Sequence, residues 1–288
     1  MSAVASPPEL HASPELRVIP GPSAFGGGWR RFVYLTWLIG YTDYRLTYFG
    51  SVLGYLWSLM RPLMFFGVLY VVFTHVVRFG EGVVDYPVLL LLNLVLFSFF
   101  QDACGNAVSS VLNRESLVRK MHFPRLVIPL STVLSSALNL GLNLIAVFVF
   151  ILLYGSSPRA SWLLLPVLLV PLIAIAAGVS MILSSLYVRY RDVAPIWSVV
   201  SQTLFYATPI FYTVEKVPES VRSWYACNPI TAVLVQARHW IVDPSAPTAV
   251  EAAGGWPQFL VPVALTVAIC AYGLWIFMRM APRIAEEL

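Results

Sequence analysis

Charge is scarce in this 288-residue chain. Asp, Glu, Lys and Arg together make up 11% of it, against 59% hydrophobic residues. Soluble domains sit nearer a quarter charged and half apolar, and the mean hydropathy here is +0.78. The scarcity excludes an ordinary soluble fold and points to an integral membrane protein. Enzymatic signatures are missing too: there is no G-x-x-x-x-G-K-[ST], no H-E-x-x-H and no C-x-x-C, and His11, His75, His122 and His239 are scattered. Neither a metal site nor a nucleotide site is expected on this chain. Cys104, Cys227 and Cys270 stand far apart, so they read as small packing residues rather than a disulfide framework.

What is present is apolar sequence in lengths that cross about 30 Å of hydrocarbon. Six crossings are expected, at Tyr55–Val77, Tyr86–Leu112, Leu126–Tyr154, Trp162–Tyr187, Ile196–Tyr212 and Phe259–Met280. Pro62, Pro166, Pro171 and Pro209 fall inside them, where packed neighbours can satisfy the carbonyls that proline frees. The fold class is therefore all-α and membrane-embedded. Residues 1–28, rich in Pro, Ala, Ser and Gly, read as a disordered cytoplasmic tail, and 29–288 as one membrane domain. In "WRRFVYLTWLIGYTDYR", Tyr34, Trp37, Leu38 and Tyr41 recur at helical spacing, while Asp43 and Arg45 cut the run below spanning length. That predicts an interfacial helix lying along the inner leaflet, with a short first transmembrane helix as the other reading. "GSVLG" at 50–54 fits either a tight bend into the first span or a helix-pairing seam.

Lys and Arg set the orientation. With a cytoplasmic N-terminus the inner side collects Arg17, Arg30, Arg31, Arg45, Arg61, Arg114, Arg119, Lys120, Arg125, Arg189, Arg191, Arg279 and Arg283, and the outer side keeps Arg78, Arg159, Lys216, Arg222 and Arg238. Both termini are then expected in the cytosol. The net charge of +4 follows from this bias and needs no nucleic-acid partner.

The densest charge in the chain is "NRESLVRKMHFPRL", residues 113–126, on the inner side between spans two and three. Topology alone explains its positive charge. Its pattern carries more: Glu115–His122 can form a short amphipathic helix with Leu117 and Met121 on one side, stopped where Pro124 pushes Phe123 out of the helical region. A mixed-charge rod with an apolar edge suits docking into a groove of another protein, as a coupling helix does. Across the membrane, residues 213–258 are long for a connector. Val217–Ala226 and Thr231–Val242 read as two short helices, with Asn228 and Pro229 opening the second and Arg238 near its end. They predict a re-entrant pair or a loop lying on the surface. Phe66, Tyr70 and Phe73 in span one, and Phe205 with Tyr212 in span five, form aromatic faces. Their spacing suits core packing and a channel wall equally.

From Trp29 onward the chain resembles the membrane permeases of ABC exporters for O-antigen, teichoic acid, lipid-linked galactan and related cell-envelope polysaccharides. The likeness rests on "SVLGYLWSLMRPL" from Ser51, Asn113 with "KMHFPRLVIPLS", "YRD" at 190–192, "ATPIFY" at 207–212 and "NPI" at 228–230. One departure stands out: where such permeases commonly read Arg-Tyr before the first span, this chain has Thr47 and Tyr48, with Arg45 the nearest basic side chain.

The resemblance implies a bacterial inner-membrane homodimer coupled to two copies of a separate ATPase, which would bind ATP and Mg. It implies that an undecaprenyl-diphosphate-linked polysaccharide moves through a channel between the two permeases. Arg114, Glu115, Arg119, Lys120, His122, Phe123 and Pro124 become the expected ATPase contacts. Phe66, Tyr70, Phe73, Phe205 and Tyr212 become the expected channel lining, and Asn228, Pro229 and Arg238 an outer gate. The chain itself would be non-catalytic and bind no cofactor. Two other readings stay open: a membrane-embedded transferase acting on lipid-linked sugars, which needs a carboxylate or His cluster, and a secondary transporter, which needs ionisable groups at the membrane midplane.

Overall fold

The structure, a computed structural model, describes residues 28–48, 54–116, 124–156 and 158–281. The expected tail, most of "GSVLG", and residues 117–123 of the charged loop lie outside these, with Arg119, Lys120, His122 and Phe123 among them. The nine longest α-helices among the described residues are α1 (Trp29–Tyr48), α2 (Gly54–Val71, continued by a wider turn over Val72–Val76), α3 (Tyr86–Val108), α4 (Val127–Leu153), α5 (Leu165–Arg189), α6 (Val193–Ala207), α7 (Glu219–Cys227), α8 (Pro229–Ala237) and α9 (Trp256–Met280). No strand occurs among the described residues.

Among the described residues five helical stretches are long and apolar enough to cross a membrane: Gly54–Val76, Tyr86–Val108, Val127–Leu153, Ala160–Arg189 and Trp256–Met280. The expected crossing at Ile196–Tyr212 is not a single spanning helix. Its helix, α6, has 15 residues, about 22 Å at the usual rise. Pro209 disfavours the helical region for Thr208, and the chain there is extended, with ψ 139°. The freed carbonyls find donors on α3: Asn93 Nδ2 donates to Pro209 O and Ile210 O at 3.3 Å, and Tyr86 Oη to Phe211 O at 2.8 Å. Of the other prolines expected inside spans, Pro62 and Pro171 are within helices and Pro166 sits in the first turn of α5.

α3 is the centre of the bundle, buried on almost every face, with Leu90, Leu92, Leu94, Leu96 and Phe97 wholly enclosed. Its neighbours α4, α5, α6 and α2 wrap it. By contrast α2 buries only Gly54 and Phe66. Such apolar exposure suits lipid or a further protein surface, because no hydrophobic penalty attaches to it in a membrane. α5 and α9 meet at two glycines: a Cβ placed on Gly273 would lie 2.4 Å from Gly178 O, and one on Gly178 would lie 2.9 Å from Ile269. Only hydrogen fits at that crossing. The amphipathic α1 lies against α4, where Gly40 comes close to Ser131 O and Leu134, while Tyr34, Trp37, Leu38 and Tyr41 stay exposed.

Candidate functional site

Four groups of polar and aromatic side chains come together on these helices. The first lies where the charged loop leaves and re-enters the bundle. Arg114 follows a short turn of helix (Ser110–Asn113), and its guanidinium pairs with Asp43 of α1 and donates to Ser131 Oγ of α4 at 3.0 Å. Arg125, at the other end of the loop, is buried and donates to Ala281 O just past α9. Pro124 is buried beside it. Thus Arg114, expected to face a partner, is held by α1 and α4 of its own chain, and both ends of the loop are fastened to membrane helices. Nothing in the sequence pattern announced Asp43 as that anchor, since 71 residues separate the pair.

The second group is aromatic. Phe66 is buried, stacked on Tyr70 with ring centroids 5.8 Å apart and edge-on to Phe150 at 5.5 Å. Phe73 stacks between Phe79 at 5.7 Å and Phe211 at 4.5 Å. Phe205 is buried against Phe97, Phe65 and Tyr206. Tyr212 donates to Tyr206 O at 3.2 Å. The five expected lining residues therefore fall in two aromatic groups, Phe66 and Tyr70 with Phe150, and Phe73, Phe205 and Tyr212 joined through Phe79 and Phe211. Phe66 and Phe205 turn inward, while Tyr70, Phe73 and Tyr212 are half-buried.

The third group closes the opposite end. Asn228 caps α8 by accepting from Ile230 N at 3.0 Å and donates to Thr208 Oγ1 at 3.2 Å, which ties the short helix to the break after α6. Pro229 occupies the first helical position. Arg238 holds both oxygens of Glu215, at 2.8 and 3.0 Å, with Asp243 Oδ2 at 3.9 Å. Burial by itself would raise the carboxyl pKa of Glu215. The hydrogen bonds from its own backbone and Thr213, and the Arg238 guanidinium, more than offset this and hold it below the ordinary value. The same balance lowers Asp243, where Ser245 supplies the hydrogen bonds. α8 buries Ile230, Thr231, Val233, Leu234, Val235 and Ala237, and packs on α5, α3 and α9.

The fourth group was not anticipated. A cavity of about 770 Å³ opens among the end of α1, α2, α3 and α4. α3 presents Ser98, Gln101, Asp102 and Asn106 to it, and α4 presents Ser136, Asn139 and Asn143. Both sets recur at helical spacing, which is the signal that was available, but each stripe is thin in an otherwise oily segment. Arg61 of α2 is the cavity's one cation and Asp102 its one anion. Tyr48 donates to Asn139 Oδ1 at 2.7 Å. Among the described residues Arg61, Gln101, Asp102 and Asn106 make no hydrogen bond or ion pair to another side chain, although the guanidinium of Arg61 acts on Asp102 at longer range. No group of three or more His, Cys, Asp or Glu side chains suited to a metal ion comes together among the described residues.

Comparison with known proteins matches residues 34–241 to the family described as ABC-2 type transporter. The O-antigen export system permease protein RfbA of Klebsiella pneumoniae is 32% identical over 197 residues, which cover 68% of this chain and 75% of that protein. The protein of the same name from Myxococcus xanthus is 29% identical over 67% of this chain and 74% of its own length. The polysialic acid transport protein KpsM of Escherichia coli is 22% identical over 68% and 77%.

Proposed function

Because the chain belongs to the ABC-2 type transporter family, we propose that it is the permease of an ATP-driven exporter that carries a lipid-linked polysaccharide out across the bacterial cytoplasmic membrane. The observation that carries this reading is the match over residues 34–241, which takes in most of α1, the charged loop, both aromatic groups and α8. The substrate class comes from the relatives, three of which are O-antigen export permeases and two polysialic acid transport proteins by name.

In this reading the working unit is two copies of the chain with two copies of a separate ATPase that binds ATP and Mg. Arg119, Lys120, His122 and Phe123 meet the ATPase. Glu115 and Pro124 flank that contact, and Arg114 stiffens it from behind. Closure of the ATPase pair then pushes on a loop whose ends are fastened through Asp43 to α1 and through Ala281 to α9, so the push is delivered to whole helices as a rigid-body displacement. The glycan passes between the two copies along Tyr70, Phe73 and Tyr212, with Phe66 and Phe205 supporting them from beneath. Aromatic faces suit a sliding polymer because they pack on sugar C–H surfaces without imposing one hydrogen-bond register. α7 and α8, latched by Asn228, Pro229 and Arg238, form the outer gate, and the exposed face of α1 lies on the inner leaflet with both termini cytoplasmic.

The test is a deletion strain complemented with a tagged chain. Wild-type protein should restore surface glycan and co-purify with an ATPase, and Lys120→Glu should lose most of that recovery while still inserting in the membrane, since a like charge at an interface costs several kcal/mol. Unchanged surface glycan in the deletion strain, or normal recovery of ATPase and export with Lys120→Glu, would overturn the reading.

A further inference from the structure

We propose that the cavity between α2, α3 and α4 is a sugar-binding site within each copy of the chain, selective for a neutral, hydroxyl-rich pyranose unit. The inference rests on the exporter reading and adds to it a place where the glycan is read before it moves.

Three observations converge on that chemistry. First, Gln101, Asp102 and Asn106 from α3 and Asn139 from α4 surround the space with paired donors and acceptors. Amide and carboxylate groups of this kind bond vicinal hydroxyls two at a time, because each offers two sites at a fixed separation. Tyr48 occupies Asn139 Oδ1, which fixes the amide and leaves its Nδ2 hydrogens for a ligand. Second, Trp57, Phe65 and Phe99 add flat apolar walls beside these polar groups, the combination that holds the C–H face of a sugar ring. Third, Arg61, Gln101, Asp102 and Asn106 make no hydrogen bond or ion pair to another side chain among the described residues, and three of these four project from the most buried helix of the fold.

Charge decides between occupants. Arg61 and Asp102 balance each other, so the cavity has no net charge to attract a phosphate, and its polar stripes on both α3 and α4 do not suit an acyl chain. The volume, about 770 Å³, falls within the roughly 300 to 1,000 Å³ of small-molecule sites. A phospholipid head group or tail is the competing occupant, and its capture is an outcome of the test.

The purified chain in lipid nanodiscs is irradiated with one of three diazirine probes: a polyprenyl diphosphate bearing neutral hexoses with the diazirine on the sugar, the same lipid without sugar, and phosphatidylglycerol. Insertion is mapped by mass spectrometry. The sugar-borne probe should mark residues 98–106 and 136–143, and the double variant Gln101→Leu, Asn139→Leu should reduce that marking about tenfold, as expected for losing two hydrogen bonds. Should the double variant lose its monodisperse elution profile, Asn106→Ala alone, at an exposed lining position, carries the comparison with a smaller loss. Equal marking by either sugar-free probe, marking outside these segments only, or marking unchanged in a folded variant would overturn the assignment. The exporter reading is judged separately in the complemented deletion strain. Wild-type rescue of surface glycan alongside unmarked helices rejects the cavity alone, whereas no change in surface glycan on deletion rejects the exporter.

Discussion

At the α8 end of the bundle Arg238 clasps Glu215, Asn228 bridges to Thr208, and Lys216 Nζ reaches Phe79 O and Glu81 O at 2.5 and 3.1 Å. At the α1 end Gln101, Asp102, Asn106 and Arg61 line open space with no such partners among the described residues. Both ends are built on the same membrane helices, so the difference is one of use. Polar groups that bond one another hold short, irregular segments in place, because each lost partner leaves a donor or acceptor unsatisfied. Polar groups left around a cavity keep that capacity for something else. The bundle is stapled at one end and left open at the other, and the open end adjoins the fastened charged loop.

The largest loss is expected at the crossing of α5 and α9. Gly273→Ala drives a methyl group into Gly178 O, and the forced separation of α5 and α9 should cost about 3 kcal/mol, read as a lower thermal midpoint and poorer recovery from membranes. Gly141→Ala is the control, since a Cβ there meets nothing within 4 Å, and it should be neutral or slightly stabilising. Equal losses from the two would show that the glycine crossing carries no special constraint.

A smaller effect is expected at the loop. Arg114 and Asp43 are partly exposed, with side-chain accessibilities of 18% and 32%, so breaking the pair with Arg114→Asp should cost about 1 to 2 kcal/mol, between the surface and buried ranges. Exchanging the charges with Asp43→Arg and Arg114→Asp together should restore most of the midpoint and most of the export. A double variant no better than the single one would remove the pair as the link between loop and α1.

The smallest effect sharpens the other end. Glu215 and Asp243 both have folded-state pKa values below the ordinary ones, so their contribution is complete above about pH 4.5 and is lost as pH falls through the folded values. Glu215→Gln should therefore cost less than about 1 kcal/mol of stability at pH 7, Glu215 being 45% exposed although Arg238 is only 14% exposed, and the gap to wild type should close in acid. A gap that stayed constant down to pH 3 would assign the loss to packing.

Much of this was legible in the sequence, and the reasons differ by element. The spans at Tyr86–Val108 and Val127–Leu153 could be read because apolar length is a property of a segment by itself. The pair of short helices at Glu219–Cys227 and Pro229–Ala237 was legible from Asn228 and Pro229, whose capping role is local. The early end of α6 was written in Pro209, but its effect was masked by the apolar run that continues to Tyr212. The inward turn of Phe66 and Phe205 was not legible, since helical spacing groups side chains on a face without saying what that face meets.

Composition and run length are enough to set the medium and the material. So few charges and so many long apolar runs admit only membrane helices, because backbone polar groups must be satisfied within each segment where no water reaches them. Which distant residues share a space is set only once the helices pack. Asp43 finds Arg114, Tyr48 finds Asn139, and the stripe of α3 faces the stripe of α4, because helix packing in lipid is set by shape and hydrogen bonding between whole faces, and a face has no partner until the helices have assembled.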